Sequence, residues 1–130
     1  MRILIAEDDY ASRKFLYKLF SQYGECDMTV DGIETVEAFV AALDSGDPYD
    51  LLCLDIMMPK IDGIKALETI RSIEKKRKIT DSDRIRVIII SALDETEVGF
   101  AVPGSGREIY ITKPVNTDII YDAVKKLELI

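Results

Sequence analysis

The sequence LLCLDIMMPKIDG, from Leu51 to Gly63, predicts an apolar strand that ends in a single carboxylate and is followed by a turn. Aspartate has low strand propensity and is costly to bury when ionised, so Asp55 is expected at the carboxyl end of that strand. In open α/β sheets this edge carries the ligand-binding site. Pro59 cannot donate a ladder hydrogen bond and Gly63 tolerates unusual backbone angles, which indicates a shaped loop. The alternative interpretation is a strand that ends in a helix-capping aspartate.

A second apolar run, at residues 3–6, ends in three consecutive acids, Glu7, Asp8 and Asp9. If the two strands are parallel neighbours, these acids and Asp55 lie in one pocket. Clustered carboxylates repel one another and raise each other's pKa values unless a cation neutralises them. Oxygen ligands without histidine favour a hard ion, so the sequence predicts a Mg²⁺ site suited to phosphoryl transfer to Asp55.

Composition and charge limit the classes of function. A chain of 130 residues, 48% apolar and 32% charged, is ordinary for one soluble globular domain. Its net charge of −7 argues against nucleic acid or an anionic membrane as the main partner, which leaves proteins and cations. Neither a secretory signal nor an apolar run of roughly 20 residues is present, so a cytoplasmic protein is expected. Cys26 and Cys53 lack metal-ligand spacing and are expected as free, buried thiols.

Strand and helix patterns alternate five times along the chain. The predicted strands cover residues 3–6, 26–30, 51–54, 87–90 and 109–111, and in the second of them Cys26, Met28 and Val30 form the apolar face. Helical stripes are predicted over residues 10–23, 36–43, 64–73 and 119–127, the last capped by Asn116 or Thr117. This alternation predicts a doubly wound parallel sheet with helices on both faces.

Two stretches are expected to be less regular. The polar run at residues 74–84 is interpreted as an extended surface loop. Its cations at residues 75–78 are interpreted as a solvated helix end, with a nucleic-acid patch as the alternative. The stretch from Asp94 to Val102 predicts a short or irregular fourth helix, less stable than its neighbours, because Gly99 interrupts it and Pro103 and Gly104 close it.

Four of the five predicted strands end in a polar group. These groups are the acid pair Asp8 and Asp9, then Asp55, Ser91 and Lys113. Taken singly, a strand-ending lysine is usually solvent-facing and a strand-ending serine is usually a cap. Together at one sheet edge they predict a phosphoryl-accepting site, where the acids hold a metal, Lys113 neutralises phosphoryl oxygens and Ser91 donates a hydrogen bond.

With these motifs the chain resembles the CheY-like receiver domain of bacterial two-component response regulators, over essentially its whole length. The matching motifs are IAEDD at residues 5–9, LDIMMPKIDG at 54–63, SA at 91–92 and YITKP at 110–114. The resemblance implies one flavodoxin-like receiver domain over residues 1–130, with a single five-stranded parallel sheet in the order 2-1-3-4-5.

The resemblance also implies the roles of the acids. Asp55 is the expected phosphoacceptor. Asp9 and Asp55, together with the backbone carbonyl of Met57, are the expected Mg²⁺ ligands, and Asp8 is expected to act through water.

The remaining site residues are implied in the same way. Lys113 is expected to pair with the phosphoryl oxygens and to precede Pro114 through a cis peptide bond. Ser91 is expected to move towards the phosphoryl group, and Tyr110 is the aromatic switch that follows it. The fourth helix, the fifth strand and the terminal helix form the face that is expected to signal to a downstream protein target.

The chain contains no histidine, so the phosphohistidine donor is expected to be another protein, a histidine kinase or a histidine phosphotransfer protein. No direct contact with nucleic acid or membrane is expected. As a phosphoacceptor the chain is not expected to be an enzyme, beyond supporting its own phosphorylation and dephosphorylation.

Three other classes share parts of the pattern. A Mg²⁺-dependent phosphatase with an aspartyl nucleophile typically carries a second acid two residues later, where this chain has Met57. A pseudo-receiver that only binds protein partners usually loses an acid or the lysine, and this chain retains them. A flavin-binding module needs a phosphate loop rich in Ser, Thr and Gly after the first strand, where the acids at residues 7–9 would repel the phosphate.

Overall fold

The computed structural model describes residues 1–55, 60–92 and 107–130, and for residues 60–62 it describes the backbone alone. The strands are β1 (Arg2–Ala6), β2 (Glu25–Thr29), β3 (Leu51–Asp55), β4 (Arg86–Ser91) and β5 (Glu108–Thr112). The α-helices are α1 (Tyr10–Phe20), α2 (Gly32–Asp44), α3 (Lys60–Lys76) and α4 (Thr117–Lys126). The helix predicted from Asp94 to Val102 lies outside the described residues, so α4 here is the terminal helix.

All five strands run parallel in one sheet, in the order β2–β1–β3–β4–β5. This confirms the predicted doubly wound fold and its strand order. In the register, Ala6 lies opposite Leu54, and Ser91 lies opposite Thr112. The carboxyl ends of β1, β3, β4 and β5 therefore meet at one edge of the sheet.

Helices cover both faces of the sheet, which explains why β3 and β4 are continuous apolar runs. On one face, Leu52 and Leu54 of β3 pack in a core with α2 and α3. On the other face, Leu51 and Cys53 pack in a second core with α1 and α4. Full burial of each such leucine contributes about 1.5–3 kcal/mol. Within the described parts of the chain, none of the helices combines the length and apolar character that crossing a membrane requires.

Side-chain caps fix the starts of α2 and α4. The cap predicted at Asn116 is confirmed, because its carbonyl oxygen accepts the N–H of Ile119 at 2.9 Å. Asp31 accepts the N–H of Glu34 at 2.8 Å, while the Glu34 carboxylate accepts the N–H of Val30 at 3.2 Å. Such reciprocal bonds satisfy backbone donors that a helix leaves open at its first turn.

β2 buries different side chains from those predicted. Met28 and Val30 are exposed, Cys26 is half-buried, and Thr29 is buried. The prediction was wrong because apolar character was taken to mark the inner face, whereas the Thr29 hydroxyl is satisfied inside by Thr35 at 2.7 Å. Among the described residues both cysteines are free thiols, as predicted.

α1 ends at Phe20, three residues before the predicted end at residue 23. Gly24 lies beyond this end and is needed for a close contact between two segments of the chain. A Cβ atom at this position would meet the backbone carbonyl of Met1, which accepts the N–H of Glu25 at 3.0 Å. The close approach of the two chain segments therefore favours glycine.

α3 continues to Lys76, so the prediction of an extended loop from residue 74 was wrong. The helix stops where Lys78 adopts a left-handed backbone with φ of 56°. Glu74 is buried because its carboxylate accepts the N–H of Ile85 at 2.7 Å and pairs with Arg71 at 2.7 Å. A polar residue in the run at residues 74–84 is therefore not necessarily exposed to solvent.

Candidate functional site at the carboxyl edge of the sheet

Asp55 ends β3 and is fully buried, as expected for a carboxylate that follows an apolar strand. The Nζ atom of Lys113 lies 2.7 Å from its Oδ2 atom. Lys113 follows β5, and its backbone N–H donates to the carbonyl of Ser91 at 2.7 Å, which holds the lysine at this edge. The predicted cis peptide bond between Lys113 and Pro114 is confirmed. The structure thus brings Asp55, Lys113 and Ser91 together at one edge.

Glu7 is a further acid at this edge, and the residue pattern alone gave it no individual role. It follows β1 directly, beside the end of β3, and is 1% exposed. Burial raises the pKa of Glu7 to about 8, helped by a hydrogen bond and charge repulsion from Asp55, while Lys113 opposes the rise. When Glu7 is ionised, its buried Oε2 atom has no donor among the described residues. Ionised Glu7 beside Asp55 would therefore need one more hydrogen-bond donor, or a cation, at its Oε2 atom.

Asp8 and Asp9 are exposed and lie in the turn between β1 and α1. The Oδ2 atom of Asp9 accepts the N–H of Ser12 at 2.8 Å and caps α1, and this bond lowers the pKa of Asp9. Within the parts of the chain that the structure describes, no three acid or thiol side chains are grouped closely enough to hold a metal. Met57, whose carbonyl was a predicted ligand, lies outside those parts.

Arg13 holds the backbone that carries these acids, a role that the helical pattern did not indicate. Its Nη1 atom donates to the carbonyls of Glu7 and Asp8 at 3.1 and 3.2 Å. Its guanidinium carbon lies 5.6 Å from the centre of the Tyr10 ring. The only signal in the sequence is that Arg13 lies one helical turn after the acid run, where a long side chain reaches back over the first turn.

Ser91 and Tyr110 occupy different positions relative to Asp55. Ser91 is buried at the end of β4, one residue beyond Ile90, which lies opposite Asp55. Tyr110 is half-buried on β5 and packs against the core that the sheet shares with α2 and α3. The switch roles of both residues stay predictions.

A cavity of about 490 Å³ lies over Asp55. Ser12 and Phe15 of α1 line one side, and Lys113 and Val115 after β5 line the other. Asp55 contributes to the lining of this cavity although its side chain has no exposed surface, so the cavity lies directly against the buried aspartate.

Comparison with known proteins identifies a family whose members share this sequence pattern. Residues 3–125 match the family model of the response regulator receiver domain. Chemotaxis protein CheY of Treponema pallidum is 34% identical over 125 residues, which cover 95% of this chain and 79% of that protein. Other response regulators that the chain matches are longer, and it spans 45% of the length of two of them.

Two solved structures of similar chains contain Mg²⁺ together with a beryllium fluoride. Response regulator protein TrrA of Thermotoga maritima, in complex with Mg²⁺ and BeF, is 31% identical, with a TM-score of 0.67 and 97% coverage of both chains. A chain of the CheX–CheY–BeF3–Mg²⁺ complex of Borrelia burgdorferi is 26% identical, with a TM-score of 0.70, covering 98% of this chain and 89% of that one. The chain therefore belongs to the response regulator receiver domain family of two-component signalling.

Proposed function

We propose that Asp55 accepts a phosphoryl group from a phosphohistidine on a partner protein. The observation that carries this proposal is the buried Asp55 carboxylate with the Lys113 ammonium 2.7 Å away. A carboxylate is a nucleophile, and the adjacent cation neutralises the oxygens of an incoming phosphoryl group. In the transfer, an Asp55 oxygen forms the new P–O bond while the P–N bond breaks and the imidazole leaves.

Among the described residues, two neighbouring buried carboxyl groups, those of Glu7 and Asp55, offer oxygen ligands of the kind that a hard divalent cation prefers. The donor set consists of carboxylate oxygens, and the buried Oε2 atom of ionised Glu7 has no donor among the described residues. Asp55, Asp8 and Asp9 with the Met57 carbonyl form the ligand set predicted from the sequence, and we add Glu7 to it. Asp9 could bind the cation only while its carboxylate also accepts the N–H of Ser12 that caps α1. Bound Mg²⁺ would supply positive charge to the phosphoryl oxygens.

The other site residues have supporting roles in the proposed transfer. Lys113 pairs with the phosphoryl oxygens in place of Asp55, and the Ser91 hydroxyl donates a hydrogen bond to them. Tyr110 then follows Ser91, which changes the surface of β5 and α4 for a downstream protein target. The chain acts as a signalling module that supports only its own phosphorylation and dephosphorylation.

The donor that we propose is a histidine kinase or a histidine phosphotransfer protein in the cytoplasm. The chain has no histidine of its own to carry the phosphoryl group before transfer. The CheX–CheY complex provides a precedent for protein contact by a similar chain.

Intact-mass analysis after treatment with acetyl phosphate and Mg²⁺ tests the assignment of Asp55. The parent is expected to gain one phosphate, because the small donor replaces the phosphohistidine, and Asp55→Asn is expected to gain none. Asp50→Asn removes an acid just before the same strand and is expected to label like the parent. Equal labelling of the parent and Asp55→Asn would contradict the proposal.

A further inference from the structure

A second cavity, of about 600 Å³, opens at the amino edge of the sheet, opposite the Asp55 edge. Its walls come from the segment before β3, the segment after α3 and the start of β4. This volume lies within the roughly 300–1,000 Å³ of typical small-molecule sites. The cavity shares no lining residue with the cavity over Asp55. A ligand here would therefore be separate from phosphoryl transfer.

Four cationic residues, called here the cationic wall, line this amino-edge cavity: Arg77, Lys78, Arg84 and Arg86. Two of these cations have exposed carboxylate partners: Arg77 lies 2.8 Å from Asp44, and Arg84 lies 3.2 Å from Asp81. Exposed ion pairs contribute only about 0–1 kcal/mol, so a ligand anion can exchange with these partners at little cost.

Two carboxylates also line the cavity, and both have local donors. Asp50 accepts the backbone N–H of Arg2 at 2.8 Å, and Asp83 accepts the hydroxyl of Thr80 at 3.2 Å. Neither forms an ion pair with the cationic wall within the described residues. Four cations and two carboxylates thus line the cavity, and the other two carboxylates nearby, Asp44 and Asp81, are the exposed partners of Arg77 and Arg84.

The cationic wall contains two polar atoms whose hydrogen-bonding needs are unmet. The Nε atoms of Arg84 and Arg86 are buried and have no acceptor within the described residues. Arg86 donates through Nη1 to the carbonyls of Ser82 and Arg84 at 2.8 and 2.9 Å, which keeps its guanidinium at the wall. A buried donor without an acceptor costs about 1–3 kcal/mol, and more when it is charged. These Nε atoms are shielded, so an oxyanion in the cavity would bind the guanidinium groups through their other N–H donors, and the Arg84 side chain is 28% exposed.

Lys78, one of these four cations, lines the cavity at an energetic cost. Its φ of 56° lies in the left-handed region, which is unfavourable by roughly 1–2 kcal/mol for a residue with a Cβ atom. Glycine is the usual residue at this position after a helix. The chain thus carries a lysine side chain at this strained position, where glycine would carry no charge.

Apolar residues line the same cavity. Leu43, Pro48, Ile79 and Leu129 line it. Tyr49 also contributes, and its ring is covered by the guanidinium of Arg2 at 4.4 Å. A ligand that matches both the cationic and the apolar lining residues has an acidic group and an apolar body.

We propose that the amino-edge cavity binds a small organic anion. Its carboxylate or phosphate group contacts the guanidinium groups of Arg84 and Arg86, and its apolar body lies against Leu43 and Ile79. The cations at residues 75–78 were interpreted as a solvated helix end, with a nucleic-acid patch as the alternative. Two of them, Arg77 and Lys78, line this proposed small-molecule site.

Four matched probes test this proposal in the full chain by NMR of the backbone amides. 1-Naphthyl phosphate and 1-naphthoate carry both features, inorganic phosphate carries only the oxyanion, and 1-naphthol carries only the apolar body. At least one naphthyl acid is expected to give saturable shifts at Ile79, Arg84 and Arg86, with higher affinity than phosphate or naphthol. The naphthyl acid that binds more tightly identifies the acidic group as phosphate or carboxylate.

Variants connect these shifts to the proposed contacts. Arg84→Gln is expected to weaken the better probe about tenfold, the effect of losing one charge-assisted hydrogen bond. Arg77→Gln, at a more exposed pair, is the second variant should Arg84→Gln fail to fold. Lys76→Gln removes an exposed cation outside the cavity and is expected to leave the affinity unchanged, as is Asp55→Asn.

Three outcomes would overturn the proposal. They are no saturable shifts with either naphthyl acid, shifts confined to the Asp55 edge, and the same affinity in the parent, Arg84→Gln and Arg77→Gln. Because Asp55→Asn retains this cavity, failure here is independent of whether Asp55 accepts a phosphoryl group.

Discussion

Burial beside Asp55 makes Glu7 titrate near neutral pH, with a pKa raised from 4.5 to about 8. A glutamate in the unfolded chain loses its proton near its ordinary pKa. Between these two values the folded protein therefore binds more protons than the unfolded chain, so the free energy of unfolding falls as the pH rises. The stabilising contribution of protonated Glu7 is fully present below the unfolded pKa and is lost as the pH rises through about 8.

We expect the metal-free protein to lose stability from about pH 6 to about pH 8.5, because Glu7 must ionise in a buried site. Urea unfolding in the presence of a chelator measures this change. Glu7→Gln cannot ionise and is expected to show a much smaller change, whereas Glu25→Gln, at an exposed acid, is expected to follow the parent. The same pH dependence in the parent and Glu7→Gln would show that another group is responsible.

Arg13 is expected to act on the acids by positioning their backbone. Its bonds to the Glu7 and Asp8 carbonyls order the turn from which these carboxylates extend. We expect Arg13→Gln to weaken Mg²⁺ binding about tenfold, the lower end for removing an outer-shell partner, as measured by calorimetric titration. Lys14→Gln removes an exposed neighbouring cation and serves as the control. Equal affinities in the two variants would rule out positioning by Arg13.

The three consecutive acids show how far the sequence predicts a site at single-residue resolution. The run Glu7, Asp8 and Asp9 predicts that carboxylates meet Asp55, and Asp8 and Asp9 were chosen as the site acids, whereas the structure buries Glu7 beside Asp55 and leaves the other two exposed. Which acid lies beside Asp55 depends on where β1 ends and α1 begins, since one residue of shift turns a side chain from the site to the solvent. The cap that Asp9 forms with Ser12 fixes the boundary, and Glu7 then lies beside Asp55.

At the scale of elements, one guanidinium connects α3 to β4 and β5. Arg71 lies 2.5 Å from the Glu108 carboxylate and 2.7 Å from that of Glu74, and it donates to the Ile85 carbonyl at 2.8 Å. The side chains of Arg71, Glu74 and Glu108 are 13%, 1% and 2% exposed. Two buried carboxylates therefore depend on the same cation.

We expect Arg71→Met to lower the free energy of unfolding by about 3–5 kcal/mol, because it leaves both carboxylates buried without this cation. Arg77→Met is the matched control, at an arginine just beyond the end of α3. Its pair with Asp44 is exposed, so a loss of at most about 1 kcal/mol is expected. Urea unfolding of both variants makes the comparison, and losses of equal size would contradict the stabilising role of the Arg71 cluster.

The same cluster explains why the sequence predicts a loop where α3 continues. Charged residues from Glu74 onwards break the apolar stripe that identifies the preceding turns as helix. Burial of Glu74 depends on Ile85, 11 residues away, and its partner Arg71 also binds Glu108, 37 residues away. The residue pattern within a short stretch of sequence cannot predict such distant contacts. It can predict the cap of α4, because Asn116 bonds to a residue only three positions away.

At the scale of the molecule, the alternation of strands and helices predicts the parallel sheet because each apolar strand must be covered on both faces. The strand order does not follow from this alternation, and it was expected from the resemblance of the motifs alone. The residues that end β3, β4 and β5 were also predicted correctly to meet at one edge. This succeeds because parallel strands place all their carboxyl ends on the same side.

Mg²⁺ is expected to stabilise the whole fold. Glu7 and Asp55 are buried side by side, so a cation that binds the folded state alone should stabilise it, by about 2.7 kcal/mol at a hundredfold excess over its dissociation constant. Because Glu7 must release its proton first, the affinity for Mg²⁺ should rise with pH towards about 8. Thermal unfolding with millimolar Mg²⁺ or chelator measures both effects. Asp55→Asn is expected to abolish the Mg²⁺ response and Asp50→Asn to retain it, and a melting temperature that ignores Mg²⁺ at every pH would exclude the proposed metal site.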